Sequence, residues 1–334
     1  YPEVFCAAIL NSQPMGFYQP AQLVRDAVRH GVEVRPADVN LSQWDCILEP
    51  TMPGAKRPFA VRLGFRQVQG LREDEVSQLI AARGNGYAGI ERLGAISGVS
   101  RFTIERLAEA DALRSMEMNR REALWAVRRL DAIGIRRGNR QGTGSRDSPL
   151  PLFQAHLSDE LFDEPRVELP GMRLAEHVVE DYVATGLSLK AHPVSFFREV
   201  LAGRGVILNE THRKDESLAN RRVSVAGLVL MRQQPGTAKG VVFMTLEDET
   251  DIANIIVWPK AFARNRRTVM TSRFLIVRGR VQRAGSVVHV VAESFIDLSA
   301  ELARLGDTDL SLPLSPDLPS RQSTLPLLKS RDFH

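Results

Sequence analysis

Five runs rich in β-branched residues occupy the second half of the chain, and their order restricts the fold more than any other feature. Turn or polar residues separate these runs, which cover 223–229, 241–246, 252–257, 274–277 and 287–291. The stretch 259–267, between the third and fourth runs, has the composition of a short helix. Five strands with a helix between the third and the fourth is the order of an OB-fold, a small barrel that often binds oligonucleotides. We therefore expect a five-stranded OB-fold β-barrel over residues 219–300.

Basic residues are concentrated in the same region. The whole chain carries a net charge of +4. Residues 221–290 hold 12 Lys and Arg against 4 Asp and Glu, whereas residues 145–220 hold 8 against 13. A basic domain next to an acidic one indicates that one of them faces a polyanion such as nucleic acid. A basic surface that is merely solvated is the alternative interpretation.

Residues 61–140 have apolar side chains at helical spacing, interrupted by two glycine turns. The first turn contains Gly70 and leads into a helix. The second contains Gly98, and Ser100 is a suitable N-cap for a helix over 101–110. Unpaired amide groups at a helix N-terminus can bind a phosphate, and two such turns can grip a duplex backbone. The pattern predicts a tandem helix–hairpin–helix that binds duplex DNA. The alternative interpretation of each motif is a plain helical turn that is capped by glycine.

Candidate nucleic-acid contacts follow from both regions. The hairpins contribute Arg66, Gly70, Arg72, Gly98, Ser100 and Arg101. The barrel contributes Phe243, Trp258, Lys260, Arg264, Arg278 and Arg280. Cations pair with phosphates and aromatic rings stack on bases, which suits single-stranded nucleic acid. The competing interpretation makes each Arg a solvated surface residue and places Phe243 and Phe274 in the core, because a small barrel must be filled.

No motif in the sequence indicates a catalytic or cofactor site. Phosphate-binding and dinucleotide-binding glycine patterns are absent, and Cys6 and Cys46 have no His at metal-ligand spacing. The acidic run 247–249 with Asp251 suggests a metal site, but a polar hairpin turn between two strands explains it more simply. We predict no catalytic residue, metal ligand or cofactor in this chain.

The chain is thus expected to be an α+β multidomain protein, helical first and β-barrel second. The other expected regions are a linker at 141–165, a helical connector at 166–218 and a flexible tail at 301–334. Residues 61–140 are expected to be helical throughout. Two lone thiols, no signal-peptide pattern and no membrane-spanning apolar run predict a cytoplasmic protein without membrane contact.

The linker contains a short apolar peptide, formed by Leu150, Leu152 and Phe153. Exposed peptides of the Leu-x-Leu-Phe kind resemble those that bind sliding clamps, in which anchor residues fill a pocket on a rigid partner. Packing of Phe153 onto neighbouring helices is the alternative.

Several segments resemble bacterial C-family DNA polymerases, the group similar to the polymerase III alpha subunit, and most closely their error-prone branch. The resemblance is carried in order by 1–18 (YPEVFCAAILNSQPMGFY), 34–40 (VRPADVN), 108–113 (AEADAL), 120–125 (RREALW), 243–249 (FMTLEDE) and 330–334 (SRDFH). It covers most of the chain. It implies that residues 1–60 end a fingers domain and that 61–140 and 219–300 bind duplex and single-stranded template.

The resemblance further implies a parent enzyme that is a DNA-directed DNA polymerase, a nucleotidyltransferase acting in damage tolerance, translesion synthesis and induced mutagenesis. The magnesium-binding aspartates of that family lie in a palm domain before Tyr1, so this C-terminal fragment alone is expected to be inactive. A sliding clamp and mutasome accessory proteins are the implied partners. Two other functions fit the same two folds: a non-enzymatic single-strand-binding or repair adaptor, and an RNA-binding OB protein.

Overall fold

The computed structural model divides the chain into two compact units. The residues that it describes are 1–15, 18–130, 169–285, 287–306 and 331–333. The first unit comprises Tyr1–Met172 and Ala184–Leu189, and the second comprises Arg173–Val183 and Lys190–His334. The predicted linker and its docking residues Leu150, Leu152 and Phe153 lie outside the described residues.

The first unit combines helices with a small sheet. Its helices are α1 (Pro2–Asn11), α2 (Pro20–Arg29), α3 (Glu73–Ala82), α4 (Ile90–Ser97), α5 (Arg101–Glu109) and α6 (Arg120–Arg129). Its strands are β1 (Val34–Arg35), β2 (Ile47–Pro50) and β3 (Phe59–Arg62). Strand β3 pairs parallel with β1 and antiparallel with β2. Residues 61 and 62 belong to strand β3, so the expectation that residues 61–140 are helical throughout is wrong there.

Charge pairing across this sheet explains why it forms without a long apolar run. Glu49 on β2 accepts hydrogen bonds from Arg62 at 2.9 Å and from Arg35 at 2.6 Å. The hydrogen bond with Arg62, together with the one from Arg35, holds the pKa of Glu49 below its usual value against the opposing effect of burial. This pairing joins residues that are distant in sequence, so no local pattern reveals it.

One apolar core runs through the first unit. Leu10 of α1, Phe65 before α3, Leu79 of α3 and Ile104 of α5 are all fully buried members of it. Residues on both sides of position 60, including those beside the glycine turns, thus belong to one apolar core. Residue 60 is not a boundary between two separately packed domains.

The second unit contains the predicted barrel. Its strands are β4 (Val206–Ile207), β5 (Arg222–Gln233), β6 (Val242–Glu247), β7 (Ile252–Val257), β8 (Phe274–Ala284), β9 (Val287–Asp297) and β10 (Arg331–Phe333). Its helices are α7 (Leu174–Thr185), which crosses from one unit to the other, α8 (Arg198–Gly203), α9 (Asn209–Lys214), α10 (Pro259–Thr271) and α11 (Ser299–Ala303). A 3₁₀ turn, Pro193–Phe197, precedes α8.

The barrel closes because β5 pairs on both sides. The strand order is β5-β6-β7-β9-β8, and β8 returns to pair with β5. A bulge between Val229 and Met231 lets the 12-residue strand bend from one neighbour to the other. The five predicted strands and the helix between the third and fourth are confirmed as an OB-fold.

Outside the barrel, the connector covers part of the wall. Phe274 and Ile276 of β8 point outward and are buried against Phe197 and Leu201 of the connector. The rings of Phe197 and Phe274 have centroids 5.3 Å apart. Phe274 is therefore a core residue as expected, but it lies under the connector and not inside the barrel. The outward residues of β8 beyond Ile276 are left without this cover.

Folded structure continues into the interval predicted as a tail. Helix α11 reaches Ala303, and Leu302 and Leu305 are buried against the outer wall of the barrel. Strand β10 pairs parallel with the end of β5, residues Met231–Gln233. The predicted start of the tail at residue 301 is therefore several residues too early, because Leu302 and Leu305 belong to the folded unit.

A buried histidine makes the second unit sensitive to acid. His212 on α9 is 1% exposed. Burial, followed by the charges of Arg283 and His289, lowers its pKa from 6.5 to about 4, while Asp251 acts in the opposite direction. Between pH 6.5 and pH 4 the unfolded chain binds a proton at His212 that the folded chain does not bind. The free energy of unfolding is therefore highest above pH 6.5 and decreases as the pH falls towards 4.

We expect this loss to be about 3 kcal/mol of unfolding free energy between pH 6.5 and 4. Urea denaturation of the chain and of His212→Gln at several pH values measures it. The variant should have the shallower pH dependence, because its side chain does not titrate. Identical slopes for both proteins over this pH interval would contradict the assignment.

Candidate nucleic-acid interface

A continuous row of outward-facing residues crosses the barrel wall. Strand register places its members opposite one another on successive strands, in the order Arg222, Arg280, Val291, Ile256, Phe243 and Gln233. Side chains directly opposite on adjacent strands lie about 5 Å apart. We call this set the outer row. None of its members belongs to the buried apolar core, so the barrel presents cations at one end of the row and an aromatic ring towards the other.

A second row runs beside it and is polar. Gln282, His289, Asn254 and Thr245 face one another across four strands, and Met231 ends the series. All are exposed or half-buried. Amide and hydroxyl groups next to an aromatic and basic row can hydrogen-bond the edges of bases that stack on it. The two rows follow the strand pairing around the barrel and carry the residue types that bind single-stranded nucleic acid.

Two aromatic residues project from this surface. Phe243 is 37% exposed and Trp258 is 54% exposed. The interpretation of Phe243 as a filler of the barrel is therefore wrong, because its neighbours Val242 and Met244 point inward instead. Trp258 follows Ile256 by two positions, and its backbone forms the N-cap of α10.

The predicted basic residues of the barrel occupy two places. Arg278 and Arg280 are exposed on β8, just beyond the part of the strand that the connector covers. Arg222, opposite Arg280, forms an ion pair of 3.0 Å with Glu293. Lys260 and Arg264 are exposed on α10, and Lys260 is two residues beyond Trp258. Arg280 belongs to the outer row and Arg278 lies two positions before it on β8. Arg264 lies on the helix that packs on the barrel through Val269.

In the first unit, the two glycine turns come together. Glu75 in the first turn of α3 accepts a hydrogen bond of 2.8 Å from the Ser100 hydroxyl and another from the Thr103 hydroxyl. Ser100 also caps α5 by accepting from the Thr103 amide at 3.3 Å. Gly70 and Gly98 have φ values of +86° and +66°, which favour glycine. The N-terminal ends of α3 and α5 are therefore neighbours.

The two turns differ in charge. The first turn of α3 contains Glu73, Asp74 and Glu75, whereas the first turn of α5 contains no acidic residue. Carboxylates at a helix N-terminus take the place that a phosphate would occupy and repel it. The sequence interpretation gave both turns the same role. The α5 turn is the less acidic of the two, although the Glu75 carboxylate accepts from Ser100 and Thr103 at its N-terminus.

Two predicted arginines of the hairpins are already engaged. Arg66 is tied to Asp45 at 2.5 Å and to the carbonyl groups of Asn11 and Gln13, with its side chain only 23% exposed. It joins parts of the first unit and is not aimed at solvent. Arg72, with 70% of its side chain exposed, pairs with Asp74 at 2.5 Å. Arg101 is half-buried at the start of α5.

The acidic run after β6 is a hairpin turn, as the simpler interpretation held. Asp248 is completely buried and accepts from the amides of Thr250 and Asp251 at 2.8 Å and 2.9 Å. It also accepts from the Asn209 amide at 2.9 Å, which joins α9 to the barrel. The carboxylate is saturated by protein donors.

The described residues contain no group of three or more His, Cys, Asp or Glu arranged to hold a metal ion. Both thiols are buried, and burial raises the pKa of Cys6 to about 12 and that of Cys46 above its usual value. Neither is a thiolate near neutral pH, so neither acts as a nucleophile. No helix in the described part of the chain has the length and apolar composition needed to cross a membrane.

Sequence reasoning missed part of this interface. Arg222, Ile256, Val291 and His289 join the two rows only through strand register. Phe102, an exposed ring at the second position of α5, was also missed. Its position directly after a capping Ser and an Arg was the available signal.

Comparison with known proteins agrees with this architecture. The family model described as "Helix-hairpin-helix motif" matches residues 31–123, and "OB-fold nucleic acid binding domain" matches residues 223–298. Among solved structures, an asparaginyl-tRNA synthetase from Pyrococcus horikoshii aligns with 28% of the chain at 20% identity and a TM-score of 0.24, a likeness too weak to support a functional argument.

Curated relatives match the chain over most or all of its length. An error-prone DNA polymerase of Caulobacter vibrioides is 51% identical over 100% of the chain, and one of Ruegeria pomeroyi is 46% identical over 100%. Error-prone DNA polymerase 1 of Rhizobium meliloti is 49% identical over 91%. The chain spans 31%, 30% and 28% of these three relatives, respectively.

Proposed function

Since the chain is homologous over its whole length to error-prone DNA polymerases, of which it spans about 30%, we propose that it is the DNA-handling part of such an enzyme. In this role, the tandem helix–hairpin–helix holds duplex DNA through its backbone phosphates. The barrel guides single-stranded template along the outer row. Both contacts are to phosphates, sugars or base faces, so they are independent of sequence.

The outer row is the observation that carries the single-strand role. Arg222 and Arg280 supply phosphate contacts at one end, and Phe243 with the adjacent Trp258 supplies stacking surfaces towards the other. This combination is what sequence-tolerant binding of single strands requires. Two exposed aromatic rings would have no role in a barrel that served only as a spacer.

The activity of the whole enzyme is part of the same proposal. The relatives are named error-prone DNA polymerases, and we propose that the chain serves DNA-directed DNA synthesis in damage tolerance, translesion synthesis and induced mutagenesis. Nucleotidyl transfer needs carboxylates that converge on two metal ions. Those carboxylates, their magnesium ions and contacts with a sliding clamp and mutasome proteins would belong to the complete polymerase, acting in the cytoplasm.

Charge reversal on β8 tests the single-strand role. The double variant Arg278→Glu with Arg280→Glu should bind single-stranded DNA at least about tenfold more weakly, and its salt slope should fall by about 1.4, since two phosphate contacts are lost. Duplex binding should change much less, because the hairpins are unaltered. Fluorescence anisotropy at several salt concentrations measures both.

The matched control reverses two exposed arginines away from β8, Arg204→Glu in the connector and Arg304→Glu at the end of α11, which changes the net charge equally. This control should retain single-strand binding to within about threefold. Equal losses on single strands and duplexes for the β8 variant, or no loss at all, would remove the single-strand role from the barrel. Binding of RNA in preference to DNA would favour the RNA-binding alternative.

A further inference from the structure

Helix α10, between β7 and β8, carries exposed cations and no carboxylate. Its sequence contains no Asp or Glu. Its exposed basic side chains, which we call the basic face, are Lys260, Arg264, Arg266 and Arg267. None of these four forms an ion pair with another described residue, whereas Arg198, Arg213 and Arg222 of the same unit each pair with a carboxylate. Cations placed together without carboxylates attract a polyanion.

Packing and hydrogen bonds hold α10 at one place on the barrel. Val269 of the helix is fully buried in the barrel core. The buried Arg232 guanidinium of β5 donates to the carbonyl group of Val269 at 2.5 Å and to that of Ser272, the residue after the helix. A cation at a helix C-terminus satisfies carbonyl groups that have no helical donor. The basic face is therefore fixed relative to the strands.

The basic face begins beside the aromatic end of the outer row. Trp258 is the N-cap of α10 and comes directly after β7, the strand that pairs with β6 and Phe243. At Gly240, just before β6, an added Cβ would lie 3.6 Å from the Pro259 ring. The first turn of α10, which carries Lys260, therefore lies beside the segment that leads into Phe243.

We propose that a single strand of DNA leaves the outer row at Trp258 and continues along α10, where its phosphates pair with the basic face. The inference rests on the single-strand role proposed above, and it extends that role from the strands of the barrel to this helix. Lys260 and Arg267 are separated by about 10 Å along a helix axis. The basic face can therefore follow the backbone of a strand for about two or three nucleotides.

The composition of the basic face favours a nucleic-acid strand over a protein partner. Between Lys260 and Arg267, Ala263 has the only exposed apolar side chain. Protein interfaces are anchored by large apolar or aromatic residues and are depleted in Lys. Basic side chains instead pair with phosphates without reading the bases. The exposed aromatic ring of Trp258 lies at the start of the helix, where a base can stack as the backbone passes.

The proposal makes binding depend on the length of the strand. The outer row has six positions about 5 Å apart and is therefore about 25 Å long. A strand of about 6 nucleotides should be bound mainly by the outer row, whereas one of about 16 nucleotides should also reach α10.

The test compares the 334-residue chain with the double variant Arg264→Ala with Arg267→Ala on oligothymidylates of these two lengths. Fluorescence anisotropy at several salt concentrations measures the affinities. For the longer strand we expect about tenfold weaker binding and a salt slope lower by about 1.4, since two phosphate contacts are lost. Binding of the shorter strand should change by less than about threefold.

Arg204→Ala with Arg304→Ala is the matched control, because it removes two exposed cations that lie outside the outer row and α10. It should bind both strands like the unmodified chain. Arg264→Lys with Arg267→Lys should keep the longer strand bound, since the charges remain. Melting temperatures verify that each variant is folded.

Two results for the α10 alanine variant overturn the inference and leave the proposed function intact: unchanged affinity for the longer strand, or an equal loss of affinity for both lengths. Failure of the unmodified chain to bind single strands of either length overturns both the inference and the single-strand role.

Discussion

Replacement of Asp248 by alanine is expected to lower the free energy of unfolding of the second unit by about 3–5 kcal/mol. Oδ1 of this buried carboxylate accepts from the amide and hydroxyl of Thr250 and from the amide of Asp251. Oδ2 accepts from the Asn209 amide at 2.9 Å and from Arg198 at 3.0 Å. Alanine leaves these donors, one of them charged, without their buried acceptor.

Glu249→Ala provides the comparison, because Glu249 binds the same Arg198 from a side chain that is 20% exposed. We expect it to cost about 1–2 kcal/mol. Urea denaturation followed by far-ultraviolet circular dichroism measures both variants, with and without added magnesium. Equal destabilisation by the two substitutions would contradict the central role of Asp248. Stabilisation of the unmodified chain by magnesium would show that the turn holds a metal after all.

Gly279→Ala should lower the free energy of unfolding by more than about 3 kcal/mol, which is an effect comparable to that of Asp248→Ala. A Cβ at this position would lie 2.2 Å from the carbonyl oxygen of Val291 and 2.8 Å from a methyl group of Val290. The β8–β9 register shifts between Arg278 and Gly279, so the backbone is already bent there. Relief requires the two strands to separate where the outer row crosses them.

Gly285→Ala is the control for this substitution. Gly285 lies at the end of the same strand pair with a φ of +61°, and nothing would approach its Cβ within 4 Å. It should cost only the backbone strain, about 1–2 kcal/mol. Single-strand binding should also fall in Gly279→Ala and persist in Gly285→Ala. A Gly279→Ala protein as stable as Gly285→Ala would show that β9 shifts freely at Val291.

The sequence predicted the strands and the helix of the barrel because their signals are local. Runs such as 252–257 and 287–291 are rich in β-branched residues and bounded by turn residues. Which residues face one another is not local. The outer row depends on register and on the bulge at Met231, and a shift of one residue would turn Phe243 inward.

The hairpins show a different limit. Gly70 and Gly98 do adopt the left-handed conformation that a turn requires, as their residue type suggested. The charge difference between the turns was already visible as Glu73, Asp74 and Glu75 in the sequence. Only the structure shows that Glu75 is used to hold Ser100, which joins the two turns to each other. Arg66 illustrates the same point, since its partners lie more than 20 positions away.

The closure of the barrel by β5 has a consequence for the order of events during synthesis. The seam between β5 and β8 joins residues about 50 positions apart. A ribosome adds about 5–20 residues per second, so β5 emerges several seconds before the strand that covers its second edge. During that interval its apolar run from Val223 to Met231 is an open template for pairing with another chain. We expect the nascent chain to need a chaperone at this stage, and newly made protein to aggregate more readily than the finished barrel.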